Sequence, residues 1–372
     1  MYFFNASAQD IAFARKIVDT LTSPYFWGRG YTNDGMKKAA DFIADQFKQY
    51  GLKPLDNKSY FQKFSYPVNT FPDNMEVAIN GKELVAGKDF IVGPEAHGLK
   101  AEGNLEEKDS ADFVNMKNKF IIHLADKLTW SASAETAEYT LVEVDKKAID
   151  KTPTQFEVDI DNEFIKNFKA ANICGYVKGT QQPDSFIFIT AHYDHLGGMG
   201  KDVYFPGAND NASGISLLLN LAHYYVSHPQ KYSIGFICFA GEEAGLFGSK
   251  HFTENPLVPL KNIRFLINTD LAGTGDEGIT VVNATEFPKE FAYMNEINDQ
   301  GKLLVKIYSR GKAANSDHYF FTEKGVPAFF FYTMGGIKAY HDVFDKAETL
   351  PLNEHEDLFK LIVKFNQKLM GQ

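Results

Sequence analysis

Five residues of this chain carry donor types that bind a borderline divalent metal, and each stands at or shortly after the end of an apolar run: His192, Asp210, Glu243, Asp270 and His341. Zinc accepts imidazole nitrogen and carboxylate oxygen together, and in catalytic sites it keeps a position open for water. Two metals about 3.5–4 Å apart can clamp both an attacking water and the carbonyl oxygen it attacks. A pair of that kind needs a carboxylate to bridge it, because an imidazole bound through one nitrogen cannot. Glu242 adds a further acid beside Glu243. Neighbouring side chains point in different directions, so one can bind metal while the other faces the bound water. The chemistry these residues suggest is metal-assisted hydrolysis.

Such residues must be held by a frame. The apolar run 186–191 reads as a buried parallel strand, and His192 follows it directly. In open α/β sheets, ligands gather beyond the carboxyl ends of the strands. Beyond residue 172 strands and helices alternate, the pattern of βαβ units. Strands are expected at 173–178, 186–191, 234–240, 263–269, 279–283 and 328–332, and helices at 214–227, 244–254, 288–300, 318–324 and 353–370. On this reading Glu242 and Glu243 open a helix, where the dipole favours negative charge. Residues 8–49 read as helical, interrupted by the loop 23–30, with Gly51 as a helix stop.

Between these regions the pattern changes to short alternating segments and turns such as Asn80-Gly81. The expected organisation is α/β: a mixed, mainly parallel central sheet flanked by helices, formed by residues 9–64 and 151–372. Residues 65–150 would form a small β-rich insertion or lid-like subdomain.

Composition narrows the class. The chain has 372 residues and a formal net charge of −10 without a basic patch, which argues against nucleic acid as a partner. No apolar stretch approaches the roughly 20 residues needed to span a bilayer. The only cysteines, Cys174 and Cys238, lie inside expected strands, so a disulfide framework is excluded. Ala6-Ser7-Ala8 resembles the small-residue cleavage site of a secretory signal, from which an exported protein is expected.

The segments His192-Tyr193-Asp194, Gly207-Ala208-Asn209-Asp210-Asn211-Ala212-Ser213-Gly214, Gly241-Glu242-Glu243, Asn268-Thr269-Asp270 and Tyr340-His341 resemble the zinc exopeptidase family of bacterial secreted aminopeptidases. Glutamate carboxypeptidases and glutaminyl cyclases are relatives within that family. The resemblance implies two Zn²⁺ per chain, one held by His192 and Asp270, the other by Glu243 and His341, with Asp210 bridging. It implies Glu242 as the general base acting on a zinc-activated water, Asp194 as the residue orienting His192, and Tyr340 as a group that steadies the oxyanion. It also implies a cis peptide bond between Asp210 and Asn211. Charge agrees with this: Asp210, Glu242, Glu243 and Asp270 contribute about −4 when ionised, which two Zn²⁺ would offset. One departure is visible, since His341 lacks the Thr-Pro that often follows it in the family.

The expected substrate is a peptide or small amide, cleaved at its amino-terminal bond. A glutaminyl cyclase or a carboxypeptidase on the same scaffold is the enzymatic alternative. A non-catalytic receptor or adhesion module fits least well, because the chain retains every expected ligand and the base. His195 and the segment Ser316-Asp317-His318 stand near the site, with structural roles or helix capping as the plainer reading.

Overall fold

A computed structural model describes residues 11–371 of the chain. Helices α1 (Ile11–Leu21) and α2 (Gly35–Tyr50) come first, followed by strands β1 (Lys53–Pro54) and β2 (Phe61–Thr70). Strands β3 (Met75–Ile79), β4 (Lys82–Glu83), β5 (Phe90–Val92), β6 (Leu99–Asn104) and β7 (Glu106–Glu107) succeed them, then β8 (Asp112–Asn115), β9 (Phe120–Ala125), β10 (Thr140–Asp145) and β11 (Gln155–Ile160). The remainder is β12 (Glu163–Val177), β13 (Gln182–His192), α3 (Gly214–Ser227), β14 (Tyr232–Phe239), α4 (Phe247–Glu254) and β15 (Ile263–Thr269). It closes with β16 (Gly278–Val282), α5 (Pro288–Gly301), β17 (Ile307–Ser309), α6 (His318–Glu323), β18 (Ala328–Met334) and α7 (His355–Leu369).

The central sheet runs β1-β12-β14-β13-β15-β18-β16-β17, with β2 also paired to β12. Its middle, β14-β13-β15-β18, is parallel, while the β12–β14 and β16–β18 junctions are antiparallel. The middle strands are largely buried on both faces, as their mostly apolar sequences require. On β13, Ile187, Ile189 and Ala191 pack with α1, α2, α3 and α7, whereas Phe186 and Phe188 pack with Phe252 of α4 and Phe321 of α6. The sheet is therefore the middle of three layers. Gly51 ends α2 in the left-handed conformation at φ 86°. The expected cleavage-site residues, Ala6 to Ala8, lie outside the described residues. Among the described residues no helix is long and apolar enough to cross a membrane.

Two expectations change. The helix expected from 244 begins only at Phe247, because Gly241, Gly245 and Leu246 take φ values of 70°, 128° and 60° and break any helical run before it. Glu242 and Glu243 therefore stand in a turn, and the dipole argument does not apply to them. The inserted region is also displaced from 65–150. Strand β2 stays paired with β12 as far as Thr70↔Glu163, and β11 pairs with β3 and β6, so the excursion spans roughly 71–161. The alternation Phe156, Val158, Ile160 is a strand of the excursion. That region folds as two sheets, β5-β10-β9-β8-β7 and β4-β3-β11-β6, whose core also takes in Leu196, Met199 and Phe205 from the main body.

His355 begins α7 with 1% exposure, and burial alone lowers its pKa to about 4. An unfolded His titrates near 6.5, so the unfolded chain binds the extra proton first as pH falls. Stability should therefore drop between about pH 6.5 and pH 4, by at most about 3 kcal/mol from this residue. Denaturant melts across that window should show a shallower pH slope in His355→Gln than in the wild type.

Candidate metal centre

Each metal-binding candidate is delivered by the carboxyl end of a central strand or by the loop that leads into α3. His192 ends β13, Asp270 follows β15, the Glu242-Glu243 turn follows β14, and His341 lies in the loop after β18. Asp210 sits just before α3, and the peptide bond joining it to Asn211 is cis. The five side chains converge in two groups. His192 Nε2 lies 3.2 Å from Asp210 Oδ1 and 3.3 Å from Asp270 Oδ1. His341 Nε2 lies 3.1 Å from Asp210 Oδ2 and 3.2 Å from Glu243 Oε2. The two oxygens of one carboxylate thus face two separate imidazole–acid pairs.

These donors fit metal ions. Ligands about 2.0–2.1 Å from a tetrahedral zinc stand about 3.3 Å from one another, which is the spacing observed. His192 Nε2, Asp210 Oδ1 and Asp270 Oδ1 are buried and have no hydrogen-bond partner among the described residues, as expected of atoms reserved for a cation. His192, Glu242 and Asp270 also bring one donor atom each within 4.8 Å of one another. Charge points the same way. Burial pushes the Glu242 carboxyl well above its usual range, and Glu243, Asp317 and Asp270 push it further against the pull of His192. Burial likewise raises Asp194 and Asp317 to about 7. The cluster is short of positive charge.

Surrounding groups fix the donors. His192 Nδ1 meets the backbone carbonyl of Asp194 at 3.1 Å, while the nearer Asp194 carboxylate oxygen is 3.9 Å away. Asp194 thus reaches His192 through its main chain rather than, as expected, its side chain. Its carboxylate instead accepts the amide N–H groups of Glu242 and Glu243, at 3.2 and 3.3 Å. Ser316 Oγ donates to Asp270 Oδ2 at 3.3 Å and accepts from Asn268 at 2.8 Å, and Asp317 makes no side-chain cap on α6. Ser316 therefore supports the site, and helix capping is not the use of this segment.

Tyr340 stacks on the His341 ring, 4.0 Å between centroids and 17° between planes, and is 42% exposed. His341 itself takes φ 52°, an uncommon conformation for a residue with a side chain. The Asp342 carboxylate fixes this loop by accepting from the amides of Tyr340 and Phe344, which answers the missing Thr-Pro. Above the donors opens a cavity of about 380 Å³, lined by Asp210, Glu242, Asp270, Leu271, Phe330 and Tyr340 among others.

His195, expected near the site in a structural role, and residues the sequence did not mark also hold the donors. His195 Nδ1 lies 2.6 Å from Glu243 Oε1, so it holds the acid that the plainer reading left it beside. Burial works to raise Glu243, but His341 and His195 overcome it and hold the carboxyl at about 2. The inserted region supplies Trp130, whose carbonyl lies 2.8 Å from His341 Nδ1 and whose amide donates to the His341 carbonyl at 2.9 Å. With Nδ1–H donated to that carbonyl, Nε2 is left unprotonated and available to a metal. Asp345 and Arg29 grip the loop that carries Asp210. His195 was placed near the site by the sequence, but nothing local marks Trp130 or Arg29.

Residues 172–366 match the sequence model of peptidase family M28. Aminopeptidase YwaD of Bacillus subtilis is 28% identical over 251 residues, which is 64% of this chain and 54% of that protein. The match thus spans about half the length of that relative. Two solved structures share the fold along nearly all of both chains. The peptidase M28 precursor from Shewanella amazonensis aligns with a TM-score of 0.74 at 15% identity, covering 97% of this chain and 94% of its own. The zinc aminopeptidase BSAP from Bacillus subtilis aligns with a TM-score of 0.69 at 18% identity, covering 96% and 94%. With the family's sequence pattern matched over more than half of its length, this chain belongs to peptidase family M28.

Proposed function

We propose that the protein is a metal-dependent aminopeptidase that hydrolyses the amino-terminal bond of a peptide or small amide, with two zinc ions at this site. The observation that carries the reading is the division of the Asp210 carboxylate between two imidazole–acid pairs, 3.1–3.2 Å from each imidazole. His192 and Asp270 would hold one ion, Glu243 and His341 the other, and Asp210 both. Bound there, zinc supplies Lewis acidity toward the scissile carbonyl and a water more acidic than bulk water. Glu242 would take a proton from the attacking water and pass it to the leaving amine. Tyr340, on the cavity wall beside His341, donates its hydroxyl hydrogen to the developing oxyanion. The acidic rim attracts the substrate ammonium, and Leu271, Phe330 and Tyr332 give its first side chain apolar surface.

A panel of amino-acid amides, dipeptides and their N-acetylated counterparts, run together with metal analysis, tests this reading. Hydrolysis of the free-amine substrates alone, with two zinc ions per chain, is the expected result. Cyclisation of an amino-terminal glutamine substrate without peptide hydrolysis would replace the proposal with the cyclase reading.

A further inference from the structure

Arg29 is completely buried, yet among the described residues no carboxylate is within ion-pair distance of it. Buried guanidinium groups ordinarily pair with an acid. Arg29 instead spends its donors on main-chain carbonyls. Its Nε donates to Tyr193 at 2.9 Å, Nη1 to Leu21 at 3.1 Å and Pro206 at 2.8 Å, and Nη2 to Gly207 at 2.7 Å and Asp210 at 3.2 Å. The short helical turn Pro24–Arg29 brings it there through left-handed φ values at Trp27, Gly28 and Arg29.

The acceptors are not scattered. Tyr193 follows His192, and Pro206, Gly207 and Asp210 belong to the loop that presents the shared carboxylate. On the other side of that loop, the Asp345 carboxylate accepts the amides of Asn209 at 2.9 Å and Asp210 at 3.0 Å. The backbone of Asp210 is thus held through its N–H by an anion and through its C=O by a cation. We propose that Arg29 is a positioning residue for Asp210, and a fixed internal cation that lets the acids of the site gather before metal binds. This inference rests on the two-metal reading of the site.

A planar fork with five N–H donors can span both loops, whereas the three donors of an ammonium on a flexible stem cannot. A guanidinium keeps its charge at neutral pH, so the cation is present whether or not metal is bound.

The full chain with Arg29→Lys tests the assignment. Zinc affinity is read by competition with a chromophoric chelator, stoichiometry by atomic emission, folding by circular dichroism, and kcat and KM on an amino-acid amide. The expected result is a folded protein whose weaker zinc equivalent binds at least tenfold less tightly, with kcat down at least tenfold and KM within threefold. Arg29→Gln serves for the same comparison if the lysine variant does not fold. Wild-type zinc affinities and kcat in a folded variant would overturn the proposal. So would failure of both variants to fold with zinc in excess, because Arg29 would then serve the fold as a whole. The underlying reading fails separately, through a wild-type protein that takes up no zinc or hydrolyses no amide.

Discussion

Glu242→Gln is expected to lower turnover of an amino-acid amide by about 10²–10⁴-fold, the usual contribution of a positioned acid–base group. Glutamine keeps the size of the side chain and its polar reach but can neither take a proton from water nor return one to the amine. The turn that carries Glu242 is fastened through its own amide and that of Glu243 to Asp194, and Gln at 242 leaves both bonds in place. Zinc content and melting temperature should therefore stay at wild-type values while kcat falls and KM changes little. Undiminished hydrolysis by this variant would remove Glu242 from the mechanism.

Exhaustive chelation is expected to abolish activity and to lower the melting temperature as well. A ligand that binds only the folded state stabilises it by RT ln(1 + [L]/Kd), about 4 kcal/mol when free metal stands a thousandfold above Kd. Removing it also leaves buried acids facing one another, with Glu242, Asp194 and Asp317 all pushed upward by burial. Re-addition of zinc should restore both properties. Loss of activity at an unchanged melting temperature would mean that these donors do not share tightly held ions.

Much of the frame could be read from the sequence because its signals are local. The expected strand 263–269 became β15 without a shift, and 214–227 became α3. His192 and Asp270 stood out for the same reason, one at the end of a strand and the other directly after one. What could not be read depended on partners far along the chain. Glu242 and Glu243 sit in a turn whose form is set by left-handed residues and by Asp194, about fifty positions earlier, so the helix-start signal misled. Besides Leu21, Arg29 acts on carbonyls 164 to 181 positions away, and nothing in the sequence around an arginine says which carbonyls it will meet. The end of the insertion was misplaced because β11 completes a sheet begun at β3, a pairing of distant segments.

The docking of the inserted region on His341 bears on how this protein can change over generations. Trp130 stacks on Phe205 at 4.6 Å, its indole N–H donates to the Val92 carbonyl, and its main chain holds His341 from both sides. The outward face of the β4-β3-β11-β6 sheet has no such duty and carries exposed polar residues such as Glu76, Glu102 and Glu157. A saturation scan under selection for activity should divide the insertion unevenly. Substitutions across that outer face should pass almost freely, while changes at Trp130 or in its Val92 and Phe205 seat should be purged. Drift in the insertion is thus free at its periphery and constrained where it touches His341.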